Sequence, residues 1–285
     1  KVNDTFGFAG EVGSPRRERT SLGCGRLIAT FTEEPSEAEA RVLSEVFHFH
    51  PLAIEDTLQD YGHPKIDTFA DHVFIIVHGI DFSRLDIEKS MDVHTLELDL
   101  FFGQRYIVTH HGNPSLRSIH DLHKDVCEPG HRPWTSVRIL HRMLDRLVDN
   151  FLPVMDQIGC KLELLEDMII HNPEPDLLEK VLEAKKSIQR IRRMTAHQRL
   201  ILESLARGHL ELIERDSLAF FRDIYDHFVR VADLAEAYRE RRAEITGQAD
   251  ELTRAITRVA QDVAQDVTRH VGGEAGASVA LSNEA

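Results

Sequence analysis

The sequence predicts an α+β protein: an N-terminal α/β head with a mixed sheet flanked by helices, followed by long antiparallel helices that end in a stalk helix. Short runs rich in β-branched and aromatic residues are confined to the first part of the chain, up to about Thr109. From about Trp134 the spacing of apolar residues becomes helical and stays so. Charged residues make up 29% and aromatics 7% of the 285 residues, a balance that suits long solvated helices better than an all-β fold.

The head reads as follows. Residues 1–23 are polar and Gly-rich and form a flexible lead-in. Arg26–Phe31 is a short strand. Ser36, after Pro35 and before Glu37 and Glu39, starts a helix running to about Phe47. Pro51 opens a second, Leu52–Gln59, with proline in the first turn, where its missing N–H costs nothing. Val73–Ile80 is a buried strand. Val93–Phe101 is a further strand, Gly103-Gln104 a turn, and Arg105–Thr109 the hairpin partner. A helix begins at Pro114 and ends before Pro129-Gly130, so the head spans about 24–130.

The helical layer and stalk span 131–270. One helix runs from about Trp134 to His171, with a kink expected at Pro153. Asn172-Pro173-Glu174-Pro175 is a break. A second helix covers about Asp176–Leu205, and Gly208 marks its turn. The third runs from near Arg215 to about Arg269, on the order of 80 Å. It carries Ile245, Ala249, Leu252, Ile256, Val259 and Val263 at alternating steps of four and three. That stripe fits either self-association through a coiled seam or packing on the same chain. Residues 271–285, rich in Gly, Ala and Ser, are a disordered tail.

Composition narrows the function classes. The net charge is −14, opposite to the basic surface that phosphate neutralisation requires, so nucleic acid is excluded as a partner. Cys24, Cys127 and Cys160 are widely spaced and form no CxxC pair, which fits a reducing, cytoplasmic compartment. No signal peptide is visible. The longest unbroken apolar run, Val73–Val77, falls far short of the roughly 20 residues a spanning helix needs.

No P-loop, GxGxxG, GxSxG or HExxH occurs, and an enzyme is not expected. His110 and His111 point to opposite faces of a strand and read as surface or core-edge histidines rather than a bidentate metal site. Carboxylates are more informative, because hard cations such as Mg2+ take oxygen ligands and keep much of their water, so one or two carboxylates per site suffice. Glu55 and Asp56 lie in the short helix after Pro51. Asp145 and Asp149 share a helix face at i, i+4, and so do Asp223 and His227. Each pair by itself also fits a solvated helix face.

The residues around these carboxylates resemble the CorA-type magnesium transporters. His50-Pro51-Leu52-Ala53-Ile54-Glu55-Asp56-Thr57-Leu58, then Pro64-Lys65-Ile66 and Phe74-Ile75, is similar to that family's "HPLaiEDtl…rPKi…fi" stretch. Leu100–Thr109 looks like its following hairpin. Leu144-Asp145, Leu147-Val148-Asp149 and Glu166-Asp167 fit its first long helix. Phe220-Phe221-Arg222-Asp223-Ile224-Tyr225-Asp226-His227 resembles its "yFRDvYDH" signature, and Tyr238-Arg239-Glu240 continues the match. The likeness covers roughly residues 24–245.

The resemblance implies a homopentameric funnel in which regulatory Mg2+, bound between neighbouring subunits on the cytoplasmic side of the membrane, keeps a pore closed. It implies sensing carboxylates at Asp56 and Asp223, and a second, looser site at Glu55 and Asp145 with His227 nearby. Co2+, Ni2+ and Zn2+ are the other ions it admits. The family's Gly-Met-Asn motif and its two apolar spans are absent from this sequence, and residues 261–283 are polar where the first span would fall. Membrane contact is therefore expected only through segments this sequence lacks. The implied function is the ion-sensing, gating domain of a CorA-like divalent-cation transporter. The alternatives are the cytoplasmic domain of a ZntB-like zinc transporter, or a non-transporting interaction protein of the same fold.

Overall fold

The computed structural model describes residues 19–22, 26–32, 40–59, 62–87, 90–111, 122, 134–171 and 177–282. Strands β1 (Arg19–Leu22), β2 (Arg26–Thr32), β3 (Lys65–Thr68), β4 (His72–Ile80), β5 (Thr95–Gly103) and β6 (Tyr106–His111) form one six-stranded sheet in the order β1-β2-β6-β5-β4-β3. Only β2 and β6 run parallel, so the sheet is mixed. The helices are α1 (Pro51–Gln59), α2 (Ser136–Asp149), α3 (Phe151–His171), α4 (Leu177–Arg207) and α5 (Leu218–Ser282). A π-helical turn, Val42–Val46, precedes α1, and a short 3-10 turn, Arg215–Ser217, leads into α5.

The sheet is the middle layer of the head. Every residue of β4 is buried, which is why its sequence is a continuous apolar run rather than an alternation. Phe74, Ile76, Phe101 and Val108 on one face meet Leu43, Phe49, Ala53 and Ile54 from the π-turn, α1 and the link between them. Val73, Ile75, Leu98, Leu100, Phe102 and Ile107 on the other face join the core of the long helices. That second core continues into α5 through Phe221, Ile224, Phe228, Val231 and Ala235. The rings of Phe151 and Phe228 meet edge-on at 5.7 Å.

Thr135 caps α2, its side chain accepting a hydrogen bond from the Arg138 N–H at 3.0 Å. Gly208 has φ 74°, a left-handed conformation that suits glycine and lets the chain turn from α4 towards α5. The α4–α5 hairpin is packed along its length, and α2 and α3 pack on α5 beside it.

Four expectations change. The helix expected from Trp134 to His171 is two helices, parted at Asn150 and not kinked at Pro153. A proline ring clashes with the carbonyl four residues back, here Asp149, so the break falls ahead of Pro153, which sits in the first turn of α3. Residues 19–22 of the expected lead-in form β1, paired antiparallel with β2. The helix expected to end near 270 continues to Ser282. It contains no proline, and Ala275, Ala277 and Ala280 favour helix where Gly272, Gly273 and Gly276 each cost about 1 kcal/mol. His110 and His111 are buried, because β6 lies between two other strands, and His110 Nδ1 is 3.1 Å from Asp99 on β5. The helix start at Ser36, the helix after Pro114 and the break at 172–175 lie outside the described residues.

Candidate divalent-cation site

The first group of carboxylates is on α1. Ala53 and Ile54 bury one side of this helix on the sheet, which leaves Glu55 exposed and Asp56 partly buried at the edge of the contact. Glu55 accepts a hydrogen bond from Gln59 at 3.4 Å. Asp56 meets Lys65 of β3, whose Nζ lies 2.5 Å from its Oδ2 and 2.8 Å from Asp67. Burial, the largest single influence on the Lys65 ammonium, works against its charge, but the bonds and charges of Asp56 and Asp67 together outweigh it and raise its pKa.

The second group lies where α5 crosses α2. Asp145 and Asp149 rise from α2 one turn apart; Asp223 and His227 do the same on α5. The His227 ring is 3.8 Å from Asp149 through Nδ1 and 4.0 Å from Asp223 through Nε2. Asp145 is held by Arg142 at 3.1 Å. Asp223 is 67% exposed, and among the described residues no Lys or Arg forms an ion pair with it. Partial burial, and then the charge of Asp145, push the Asp149 carboxyl above its ordinary range. His141, one turn before Asp145, has its pKa lowered, first by burial, against the pull of Asp145 and Asp223. Phe220 and Phe221 present ring edges to it at 5.4 and 5.9 Å.

Of the residues the sequence singles out, the structure therefore brings Asp145, Asp223 and His227 to one corner, with Asp149 among them. Glu55 and Asp56 stay on α1, against the opposite face of the sheet. Among the described residues, no group of three or more His, Cys, Asp or Glu side chains is arranged to hold a metal ion within one chain. The donor set fits a hydrated hard cation: oxygen ligands, open to water, with burial and then the charge of Asp145 holding Asp149 above its ordinary pKa. Lys65 is the partner that spacing does not reveal. Lys65 is nine residues from Asp56 and reaches it only through the pairing of β3 with β4. The i, i+3 relation of Arg142 to Asp145 is the one signal of its pairing visible in sequence.

No helix among the described residues is long and apolar enough to cross a membrane. The family described as "CorA-like Mg2+ transporter protein" matches residues 31–255. YfjQ of Bacillus subtilis is 28% identical over 219 residues, 74% of this chain and 64% of YfjQ. The "Cobalt/magnesium transport protein CorA" of Thermotoga maritima is 26% identical over 208 residues, 70% of this chain and 56% of that protein. This chain thus spans less than two thirds of the length of either relative. The CorA magnesium transporter structure from Methanocaldococcus jannaschii superposes with TM-score 0.72 at 19% identity, over 91% of this chain and 80% of that one. The ZntB cytoplasmic domain from Vibrio parahaemolyticus does so with TM-score 0.66 at 16% identity, over 80% of this chain and 88% of that one. These two likenesses agree with the observed fold of a mixed-sheet head and a long terminal helix. The matched family is one of transporters, not enzymes, and because its match covers well over half of the sequence, the chain belongs to the CorA-like Mg2+ transporter family.

Proposed function

We propose that this chain is the ion-sensing, gating domain of a divalent-cation transporter working with Mg2+, and that Co2+ and Ni2+ are further ions it accepts. The observation that carries the reading is the division of the carboxylates. Asp223 stands exposed on one side of the molecule and the Glu55-Asp56 pair on the other, each group too small to hold an ion alone. A second copy docked so that α1 faces the α2–α5 corner would complete both: Asp56 with Asp223, and Glu55 with Asp145 and His227. A ring of such copies, a pentamer by family likeness, would place one site at each junction, on the cytoplasmic face of the membrane.

The residues supply repulsion. Facing aspartates push neighbouring copies apart, and the net charge of −14 adds to that push. A bound divalent cation supplies the positive charge that offsets it. Exposed oxygen ligands and few contacts suit weak, millimolar-range sensing, and loss of the junction biases a two-state pore towards its other state.

The test is molar mass by light scattering on the 285-residue chain, in millimolar MgCl2 and again in EDTA. The reading expects an oligomer that tightens with Mg2+ and loosens in EDTA. A monomer indifferent to Mg2+ would sink it. Asp56→Ala combined with Asp223→Ala is expected to abolish Mg2+-induced protection from proteolysis, and protection equal to the parent's would overturn the site assignment. One observation favours a second reading, zinc transport: the imidazoles of His141 and His227 border the same aspartates, and imidazole suits Zn2+ better than Mg2+. Tightening by micromolar Zn2+ with no response to Mg2+ would select it.

A further inference from the structure

We propose that Lys65 is a tethered counter-cation that competes with the divalent ion for Asp56 and so sets the ion concentration at which the site responds. The proposal rests on the reading of Asp56 as an ion ligand. It starts from an asymmetry between the two aspartates that reading pairs. Asp223 is 67% exposed and its nearest basic partner is an imidazole at 4.0 Å, whereas Asp56 is 20% exposed and already in contact with an ammonium.

The contact is built by the fold. Lys65 is on β3, locked opposite Ile76 of β4 by the antiparallel register. Its Nζ lies over the Phe74 ring, 5.5 Å from the centroid, a ring fully buried in the core beneath α1. Asp67, two residues on and therefore on the same face of β3, holds the same nitrogen at 2.8 Å. The ammonium is thus fixed by a strand, a ring and a second carboxylate before Asp56 contributes anything. When a divalent ion approaches Asp56, Lys65 has Asp67 to stay with, so the bond can be given up without stranding a half-buried charge.

The consequence is electrostatic. A fixed unit charge about 4 Å away opposes a divalent ion about twice as strongly as a monovalent one; at the dielectric of water this corresponds to about thirtyfold in apparent affinity unscreened, and about tenfold once salt of physiological strength screens it. Glu55, beside Asp56 on α1, has Gln59 as its hydrogen-bond partner and, among the described residues, no such ammonium in contact. The two carboxylates of α1 therefore present different thresholds, with Asp56 the harder to load.

The experiment is a MgCl2 titration of protection from chymotrypsin at constant ionic strength, on the 285-residue parent and on K65M, K65R and D56A, with light scattering on the same samples. Met keeps the apolar stem over Phe74 and removes only the charge. K65M is expected to reach half-protection at about tenfold lower Mg2+, and K65R to restore the midpoint towards that of the parent. A K65M midpoint that is unchanged or higher, in a protein whose response still disappears in D56A, overturns the Lys65 proposal alone. A D56A response equal to the parent's, or a parent with no response, overturns the ligand reading of Asp56 and the proposal with it.

Discussion

The two halves of α5 are one unbroken helix and two different kinds of structure. From Leu218 to Ile245 the helix is part of the protein's interior: Phe221, Ile224, Phe228, Val231, Ala235 and Ile245 are buried, at the spacing of a helix face pressed on α2, α3 and α4. Beyond Gly247, Ala249 still packs against that core, whereas Val259, a member of the apolar stripe, is 62% exposed. The near half is folded by its own chain. The far half keeps an apolar stripe that its own chain does not cover at Val259, an exposure that self-association through a coiled seam would remove.

Breaking the near half should cost most. Phe228→Ala removes a fully buried ring from the contact with Phe151 and is expected to lower stability by about 3–5 kcal/mol, read from urea unfolding midpoints. Gly159→Ala tests a close contact between α3 and Tyr238 of α5. A methyl there would lie 2.5 Å from the Tyr238 hydroxyl, so a loss of about 1–3 kcal/mol is expected. A gain of stability at that position would show that α3 and α5 are less tightly apposed than described.

At the boundary the sign reverses. A methyl at Gly247 meets nothing within 4 Å, and Gly247→Ala should stabilise the helix by about 0.5–1 kcal/mol. A smaller effect is expected from pH at the head end of α5. His141 has a lowered pKa in the folded protein, so folding disfavours its charged form. Stability is then fully present above the ordinary imidazole pKa and is partly lost as pH falls below it. His141→Gln should flatten that acid limb of the thermal stability profile; an unchanged limb would assign it to other groups. Smallest of all, Val259→Glu should leave the unfolding midpoint within about 0.5 kcal/mol of the parent's, while lowering any molar mass above the monomer. A stability loss well above that would mean the far half does pack on its own chain.

What could be read from the sequence follows the same divide between local and distant. Pro51 at the start of α1, Gly208 at the end of α4, the apolar run of β4 and the i, i+4 pairs on α2 and α5 are fixed by neighbours a few residues away, so spacing exposes them. The meeting of Asp149 with His227 depends on how α2 crosses α5, and that of Asp56 with Lys65 on strand register. Neither leaves a trace in spacing. Asn150 lies between: the proline that ends α2 is visible, but its effect falls at the residue its ring displaces. His110 and His111 read as surface or core-edge residues because a parallel neighbour, β2, cannot be foreseen from the hairpin that contains them.

The length of α5 has a mechanical meaning. Its 65 residues span about 100 Å, and about half of that lies past Gly247. A tilt of about 5° at the bundle, no larger than the rearrangement of a few side chains permits, would swing the far end by about 4 Å, enough to change the bore of any opening it borders. A helix packed on the bundle through Ile245 and running about 50 Å beyond it is a lever, and the corner of α2 and α5 that carries Asp145, Asp149, Asp223 and His227 sits at its fulcrum.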